Sequence, residues 1–551
     1  MFLAVAFITV LLVTVIWFTI TYLDPILSNV SAHIIIGLGL LVSGSIIVLI
    51  PLDYESSLYH HCRLEHPPSQ CQKPTLYISQ EHLSLIWRFI YWITFFFVWV
   101  FMPFIRNLSS TAEFRLSERL RTALKKSLTF YITLGILALS GIIYLSVSAG
   151  LTFNNVISML MSFASLWGLF LLIVLCGHGL VGLPKKLWRK SNIKREVKFC
   201  EFSASKVYSD LESARSKLSE TLNKVTKTAT QVPVRNPLYQ YLSQVISKCP
   251  ISAYGGSAAN LINIGKGNSL GGANVDYDMV CGLNKEVMVR SSSLRIQEDK
   301  WDKLVVKYAY LKQLLSIQAA KKEVGTRNLL NSGIFEISKR DFIFYMHALP
   351  IVLKVLCVVC SSFTIVLLFS ELSLVSDSLT SPLSFFLSKS TSTTLNSLLI
   401  MMPIGYFTLC GFFSLANLKK SRDYCILKKL TTPWSGIFLS GFMLRLIFPL
   451  CYNYLTILKL EETAFIHLFG PMEDVPILGV TISTWLPTAI LLICFLALGE
   501  CFTSVLKMFG VSTFDYEEAI EDAGSLVEGR GLLLRSKDIL QREKISVEGK
   551  V

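Results

Sequence analysis

Charge is what this chain has least of. Only 16% of its 551 residues are Asp, Glu, Lys or Arg, against 52% hydrophobic and 12% aromatic. That balance excludes an ordinary water-soluble globular chain and points to an integral membrane protein. The short motifs of common enzymes are missing too. There is no H-E-x-x-H, and no G-x-S-x-G in a strand-turn-helix setting. The stretch Gly265-Lys266-Gly267-Asn268-Ser269 fails the phosphate-loop pattern, because Lys266 is followed by Gly267 and no buried strand precedes it. These absences leave no catalytic residue and no cofactor to assign, and the expectation is a protein that is not an enzyme. The 13 cysteines are scattered, mostly within apolar stretches, where a thiol acts as a small hydrophobe.

What the chain does have is a series of apolar windows, each near the ~20 residues that a helix needs to cross a bilayer. They fall near 2–21, 33–50, 86–105, 127–147, 156–182, 346–370, 392–415, 435–456 and 477–505. The expected fold is therefore an all-α polytopic bundle of about nine transmembrane helices. Four regions follow: a five-span N-terminal half at 1–183, a polar insert at 184–345, a four-span half at 346–506 and a tail at 507–551. Residues 2–21 are read as a span and not a cleaved signal, since no basic segment precedes Phe2 and no small-x-small site lies near Tyr22–Pro25.

The net charge of +14 does not gather on one soluble face. Basic residues border the apolar windows, which favours membrane lipids as partners and argues against nucleic acid. The 106–126 connection holds Arg106, Arg115, Arg119, Arg121, Lys125 and Lys126, and the 416–434 connection holds Lys419, Lys420, Arg422, Lys428 and Lys429. By the positive-inside rule both are cytosolic. The connections at 51–85, 148–155, 371–391 and 457–476 are nearly free of Lys and Arg and face outward. The assignment that satisfies all of them puts the N-terminus outside, the C-terminus inside and the insert in the cytosol. The sequons at Asn29 and Asn107 then lie on cytosolic connections, out of reach of N-glycosylation.

The insert opens on a basic collar (Lys185, Lys186, Arg189, Lys190, Lys194, Arg195, Lys198). A heptad-like run follows through Val207, Leu211, Ala214, Leu218 and Val225, and a second runs through Leu294, Trp301, Val305, Tyr308, Leu311 and Leu315. This spacing predicts a helical hairpin with coiled-coil character. Pro233 and Pro237 break the first run, and 251–290, rich in Gly, Ser and Asn, reads as a loop.

Two constellations are candidate sites. The outward connection 51–85 carries His60, His61, Cys62, His66 and Cys71. Their spacing fits no standard structural zinc pattern. A Cys62–Cys71 disulfide in an oxidising compartment is the simplest reading, with unpaired thiols and a metal site as alternatives. Within the membrane, Arg445 lies mid-span and Glu500 lies in the inner third of an antiparallel span. Charges there are costly, so the two are candidates for a cross-helix pair; the alternative is that each reaches polar surroundings separately.

Several pieces of sequence together resemble a known family. They are Pro51-Leu52-Asp53 with Ser56, Ser57 and Tyr59; Tyr91-Trp92 through Trp99 and Pro103; Gly179-Leu180-Val181 with Pro184 and Trp188; and Lys248-Cys249-Pro250. The Trp301–Tyr310 helix, Ser440 through Leu446 with Pro449-Leu450-Cys451, Glu462-Thr463-Ala464-Phe465 and Leu526-Val527-Glu528-Gly529-Arg530 complete the set. Their order and spacing resemble the limb-region-1-like (lipocalin-interacting membrane receptor-like) family, and within it the limb region 1 domain-containing protein 2 branch. The resemblance implies nine spans, an external N-terminus, a large cytosolic coiled-coil loop, and a role in membrane receptor signalling or ligand uptake. Members of that branch look like modulators of G-protein-coupled, adrenergic-type receptor signalling, and a distant relative is associated with lysosomal cobalamin export.

Two functional readings follow. The first is a receptor-like protein or regulator of receptor signalling in the plasma membrane, engaging membrane receptors or cytosolic signalling proteins through 184–345. The second is a transporter or uptake receptor for a small or amphipathic ligand such as a lipocalin cargo or cobalamin, with the endolysosomal membrane as the alternative location.

Overall fold

A computed structural model of the chain describes residues 2–25, 30–67, 71, 74, 77–148, 153–233, 235–249, 275–320, 334–374, 380–389, 393–418, 424–460, 463–469, 480–498 and 523–548. Among these the protein is almost wholly helical, with one isolated β-bridge between Leu23 and Thr431 and no strand. In chain order the helices are α1 Phe2–Tyr22, α2 Val30–Glu65 and α3 Gln80–Phe96, which runs through a π-helical turn at Phe97–Phe101 into α4 Met102–Ser110. Then come α5 Leu116–Ser148, α6 Phe153–Lys190, α7 Ile193–Gln231, α8 Leu238–Ser247 and α9 Tyr277–Ala320. The short α10 Lys339–Ile343 passes through a second π turn, Phe344–Ala348, into α11 Leu349–Leu372. Last are α12 Pro382–Lys389, α13 Thr393–Asn417, α14 Pro433–Ile457, α15 Ala464–Phe469, α16 Val480–Leu498 and α17 Ala523–Glu548.

The chain divides into two compact units. The first, a membrane unit, comprises Met1–Asn107, Leu124–Lys186 and Leu356–Thr513; the second comprises Leu108–Ala123, Leu187–Val355 and Phe514–Val551. Among the described residues eight helical stretches are long and apolar enough to span: α1, α2, α3–α4, α5, α6, α10–α11, α13 and α14. The ninth expected window, 477–505, contains α16. The second window, 33–50, is the first half of the longer α2, which continues past Pro51 to Glu65.

In the membrane unit α14 is the span most enclosed by protein, and α5 the least. Outward-facing Leu128, Ile132, Ile136, Leu139 and Ile143 make α5 a lipid-facing helix. α14 starts on a Thr432 cap, whose Oγ1 accepts from Ser435 N at 3.2 Å, with Pro433 in the first turn where its missing N–H costs nothing. Packing between α2 and α14 relies on small residues, as is usual where lipid gives no hydrophobic drive for helix association. A Cβ on Gly39 would sit 2.9 Å from the Ser440 Cβ.

Lipid cannot satisfy a freed backbone carbonyl, so each break in a helix ladder needs a protein donor. Pro184 in α6 cannot donate to Leu180, and the Thr364 Oγ1 hydroxyl of α11 reaches that carbonyl at 3.0 Å, sharing its hydrogen with Cys360 O at 3.0 Å while Tyr406 Oη lies at 2.7 Å. The π turn Phe97–Phe101 displaces carbonyls in the same way. Tyr131 Oη donates to Trp99 O at 2.8 Å, and Arg445 Nη2 reaches Val98 O at 3.5 Å.

Unit two is built as water-soluble helices are. α7 buries Val197, Cys200, Ala204, Leu211, Ala214, Leu218, Leu222 and Val225 along one stripe, and its opposite face exposes Asp210, Glu220, Asn223 and Lys227. Contacts run upward along α7 and downward along α9: Glu196 to Lys307, Tyr208 to Trp301, Arg215 to Glu298, Lys224 to Glu286. The pair is therefore antiparallel, in contact over about 28 residues or roughly 42 Å. Of the expected loop 251–290, the part from Tyr277 on is helix, a correction with a local cause. The clustered glycines all precede 275, Asp276 accepts from the amide of Tyr277 through Oδ1 at 2.7 Å, and Val280, Leu283 and Val287 then repeat at helical spacing into the core. Residues 250–274 lie outside the described residues.

The ladder repair at Pro184 is open to a double-mutant test. Thr364→Val is expected to destabilise the detergent-purified protein by about 1–3 kcal/mol, the cost of an orphaned buried carbonyl. In a Pro184→Ala background, which restores the N–H, the same substitution is expected to cost clearly less. Equal shifts in unfolding midpoint in both backgrounds would contradict the assignment.

Candidate functional site

In the membrane unit a polar cluster forms around one buried carboxylate. Asp53, on α2 just past Pro51, is buried at 1% exposure. Its carboxylate accepts from Ser57 Oγ at 3.1 Å, Trp87 Nε1 at 2.9 Å and the amides of Ala464 and Phe465 at 2.8 and 3.0 Å. The last two are orphan donors in the first turn of α15, so Asp53 caps that helix from another part of the chain. Trp87 packs edge-on against Phe465, with ring centroids 4.9 Å apart, and Phe465 packs on Phe469. Three elements far apart in sequence are thereby fixed together. Nearby, Ser397 donates to Glu55.

A second carboxylate in this unit is less well supplied. Glu371, one residue before the end of α11, accepts from Asn453 Nδ2 of α14 at 2.6 Å through Oε1. Both residues are 1% exposed, and both Glu371 Oε2 and Asn453 Oδ1 have no hydrogen-bond partner.

Of the residues singled out in the sequence, Cys62 and Cys71 form a disulfide, with Cα atoms 5.9 Å apart. It ties the last turn of α2 to the connection that follows. His61 faces Glu65 at 3.6 Å on the same helix, and no group of three or more His, Cys, Asp or Glu able to hold a metal occurs among the described residues. Arg445 is half-buried, lies over the Phe442 ring at 5.0 Å and leaves Nε without a partner. Glu500, the other half of the expected pair, lies outside the described residues.

In unit two the two expected helical runs meet, and a third helix joins them. Val197, Cys200, Ala204, Val305 and Tyr308 enclose Leu533 of α17. The approach is close at Gly529, where a Cβ would lie 1.9 Å from the Glu201 carbonyl oxygen, so no larger residue fits. Glu528 Oε2 accepts from Ser205 Oγ at 2.7 Å, and Glu201 faces Tyr308 Oη at 3.1 Å, Lys312 at 3.8 Å and Arg530 at 4.0 Å. The tail, expected as a separate region at 507–551, thus places its helix against the insert. Burial pushes the Cys200 thiol up to about 11, so it serves as a small apolar group. At the other end of the hairpin, the 108–123 connection is held by Phe114, which packs on Tyr241 at 4.8 Å, and by Ala112 O, which accepts from Asn284 Nδ2 at 2.6 Å.

Charge gathers at the start of α7. Asn192 caps the helix, its Oδ1 accepting from Lys194 N at 3.1 Å. Glu196, in the first turn, is buried between Arg189 Nε at 3.3 Å and the Lys307 ammonium. Burial alone would raise its carboxyl, but Lys307, with Arg189 and Lys190 behind it, outweighs burial and holds it below the usual carboxylate range.

With this geometry in place, comparison with known proteins is informative. Residues 1–502 match the family described as LMBR1-like membrane protein. The chain belongs to this family. It is 21% identical over 548 residues to the LMBR1 domain-containing protein 2 homolog A of Dictyostelium discoideum, covering 90% of this chain and 74% of that protein. It is 22% identical to the G-protein coupled receptor-associated protein LMBRD2 of Gallus gallus, over 91% and 78% of the two chains. With the LMBR1 domain-containing protein 2 homolog of Drosophila melanogaster the identity is 23%, over 93% and 80%. No solved structure matches the chain. Family membership and the apolar helices together make this an integral membrane protein. Asp53, Glu371, Asn453 and Glu196 fall inside the family match, and α17 lies beyond its end.

A depressed carboxyl stabilises the fold above its unfolded value and loses that contribution as pH falls through the folded one. Glu196→Gln is therefore expected to lower the unfolding midpoint at neutral pH. The gap to the parent chain is expected to close as pH drops below about 4, where the unfolded carboxyl also protonates. A gap that persists unchanged into acid would show that charge is not what Glu196 contributes.

Proposed function

We infer that this chain is a non-enzymatic multi-pass protein that associates with membrane receptors and regulates G-protein-coupled, adrenergic-type signalling. The observation that carries this reading is the match, over about nine-tenths of the chain, to relatives named as G-protein coupled receptor-associated proteins. The construction of unit two supports it. The apolar stripes of α7, α9 and α17 are used up against one another, and the exposed face of α7 is left polar and available to a partner. The N-terminus faces outward in this reading, and the insert and C-terminus are cytosolic at the plasma membrane. That orientation is supported by the basic connections at 106–126 and 416–434. The membrane unit is consistent within itself: the end of α1 pairs with the 416–434 connection through Leu23 and Thr431, and the 51–85 connection meets α15 through Asp53.

Proximity labelling from a ligase fused to the C-terminus tests the proposal. The parent chain is expected to label G-protein-coupled receptors or their cytosolic partners. A variant with the exposed α7 charges reversed, Asp210→Lys, Glu220→Lys and Lys227→Glu, is expected to lose them while still inserting in the membrane. Absence of receptors from the parent's labelled set, or identical sets for the two chains, would sink the reading.

A further inference from the structure

We propose that Glu371, held by Asn453, is a proton-binding site within the membrane unit, filled when Oε2 carries a hydrogen and empty when the carboxyl is ionised. The comparison with Asp53 makes the point. Both carboxylates are equally buried in the same unit, but Asp53 receives four donors and Glu371 receives one. A carboxylate kept only for structure is expected to be satisfied, because an uncompensated buried charge costs several kcal/mol even after relaxation.

What the site lacks is a positive charge. The two unpartnered atoms, Glu371 Oε2 and Asn453 Oδ1, are both acceptors that nothing in the described protein fills. No ion pair to Glu371 occurs among the described residues, and Asn453 is its one hydrogen-bond donor there. Among the described residues, Cys176 on α6 and Cys494 on α16 lie within electrostatic reach of Glu371. Their hydrogens are directed elsewhere: Cys176 Sγ donates to Phe407 O at 3.8 Å and Cys494 Sγ to Gly177 O at 3.3 Å. The adjacent hydroxyls are also committed, Ser370 Oγ to Val366 O and Ser373 Oγ to Ser370 O. These described donors are directed elsewhere, and a hydrogen on Glu371 Oε2 would complete the pair.

A metal ion does not fit, since one carboxylate oxygen and one amide oxygen are far fewer than the oxygens that a cation stripped of water takes. A proton on Oε2 supplies the missing donor. Glu371 and Asn453 come from different spans, so occupancy of the site ties α11 to α14.

The test uses the full chain in lipid nanodiscs, with thermal unfolding followed from acid to alkaline pH in choline chloride, sodium chloride or potassium chloride. The parent chain is expected to lose several degrees of Tm as pH rises in choline. Recovery by acid in all three salts is the expected result, and recovery by sodium or potassium at alkaline pH would overturn the proton reading. Glu371→Gln, which keeps the shape and supplies a donor, is expected to lack the parent's loss of Tm at alkaline pH while keeping the acid dependence that Glu196 contributes. A parent Tm indifferent to alkaline pH, or a Glu371→Gln profile that tracks the parent's there, would overturn the proposal. Should Glu371→Gln fail to fold, the infrared carboxyl C=O band of the parent decides. A protonated-carboxyl band still present at neutral pH, where ordinary carboxyls are ionised, and lost at alkaline pH supports the site, and absence of any such band at neutral pH refutes it.

Discussion

In the hydrocarbon of a bilayer no water is available to a backbone carbonyl or amide, and the membrane unit follows from that constraint. Long helices satisfy most of the ladder. Where a helix is broken or begins inside protein, a named side chain takes over. Thr364 serves the carbonyl that Pro184 frees, Tyr131 and Arg445 serve the π turn at Phe97–Phe101, and Asp53 serves the first amides of α15. Each of these side chains comes from another part of the sequence, so every repair is also a tertiary tie. The polar residues of the unit are in this sense its joints.

Unit two answers to water. Along the seam of α7 and α9 it buries successive apolar clusters, around Val197, Leu211 and Val225, and its charged residues line the edges of the seam. Hydrophobic burial holds it together. Glu196 and Glu201 fix which basic residues of α9 and α17 lie opposite α7, a matter of register more than of strength.

Periodicity made the broad design legible. The apolar windows mark the spans, and the run Leu211, Ala214, Leu218, Val225 marks the buried stripe of α7, because both signals are local and repeat. Ties between distant residues were not legible in this way. Nothing in the local sequence near Asp53 indicates that its partners are 411 and 412 positions away, and Glu371 and Asn453, 82 apart, carry no motif. The disulfide was readable because its cysteines are nine positions apart. α17 was missed as a packing element although Leu526-Val527-Glu528-Gly529-Arg530 stood out in the sequence. Its apolar pattern is weak, and the decisive residue, Gly529, acts by having no side chain.

The central claim for the water-facing part is that the tail helix completes the insert, so that any partner meets three helices and not a hairpin. Hydrogen–deuterium exchange on the full chain and on a chain ending at residue 522 tests this directly. The account predicts that removing α17 raises exchange in the amides around Val197–Ala204 and Val305–Tyr308 while leaving those around Val280–Val287 unchanged. Identical exchange in both chains at the first two segments would contradict it.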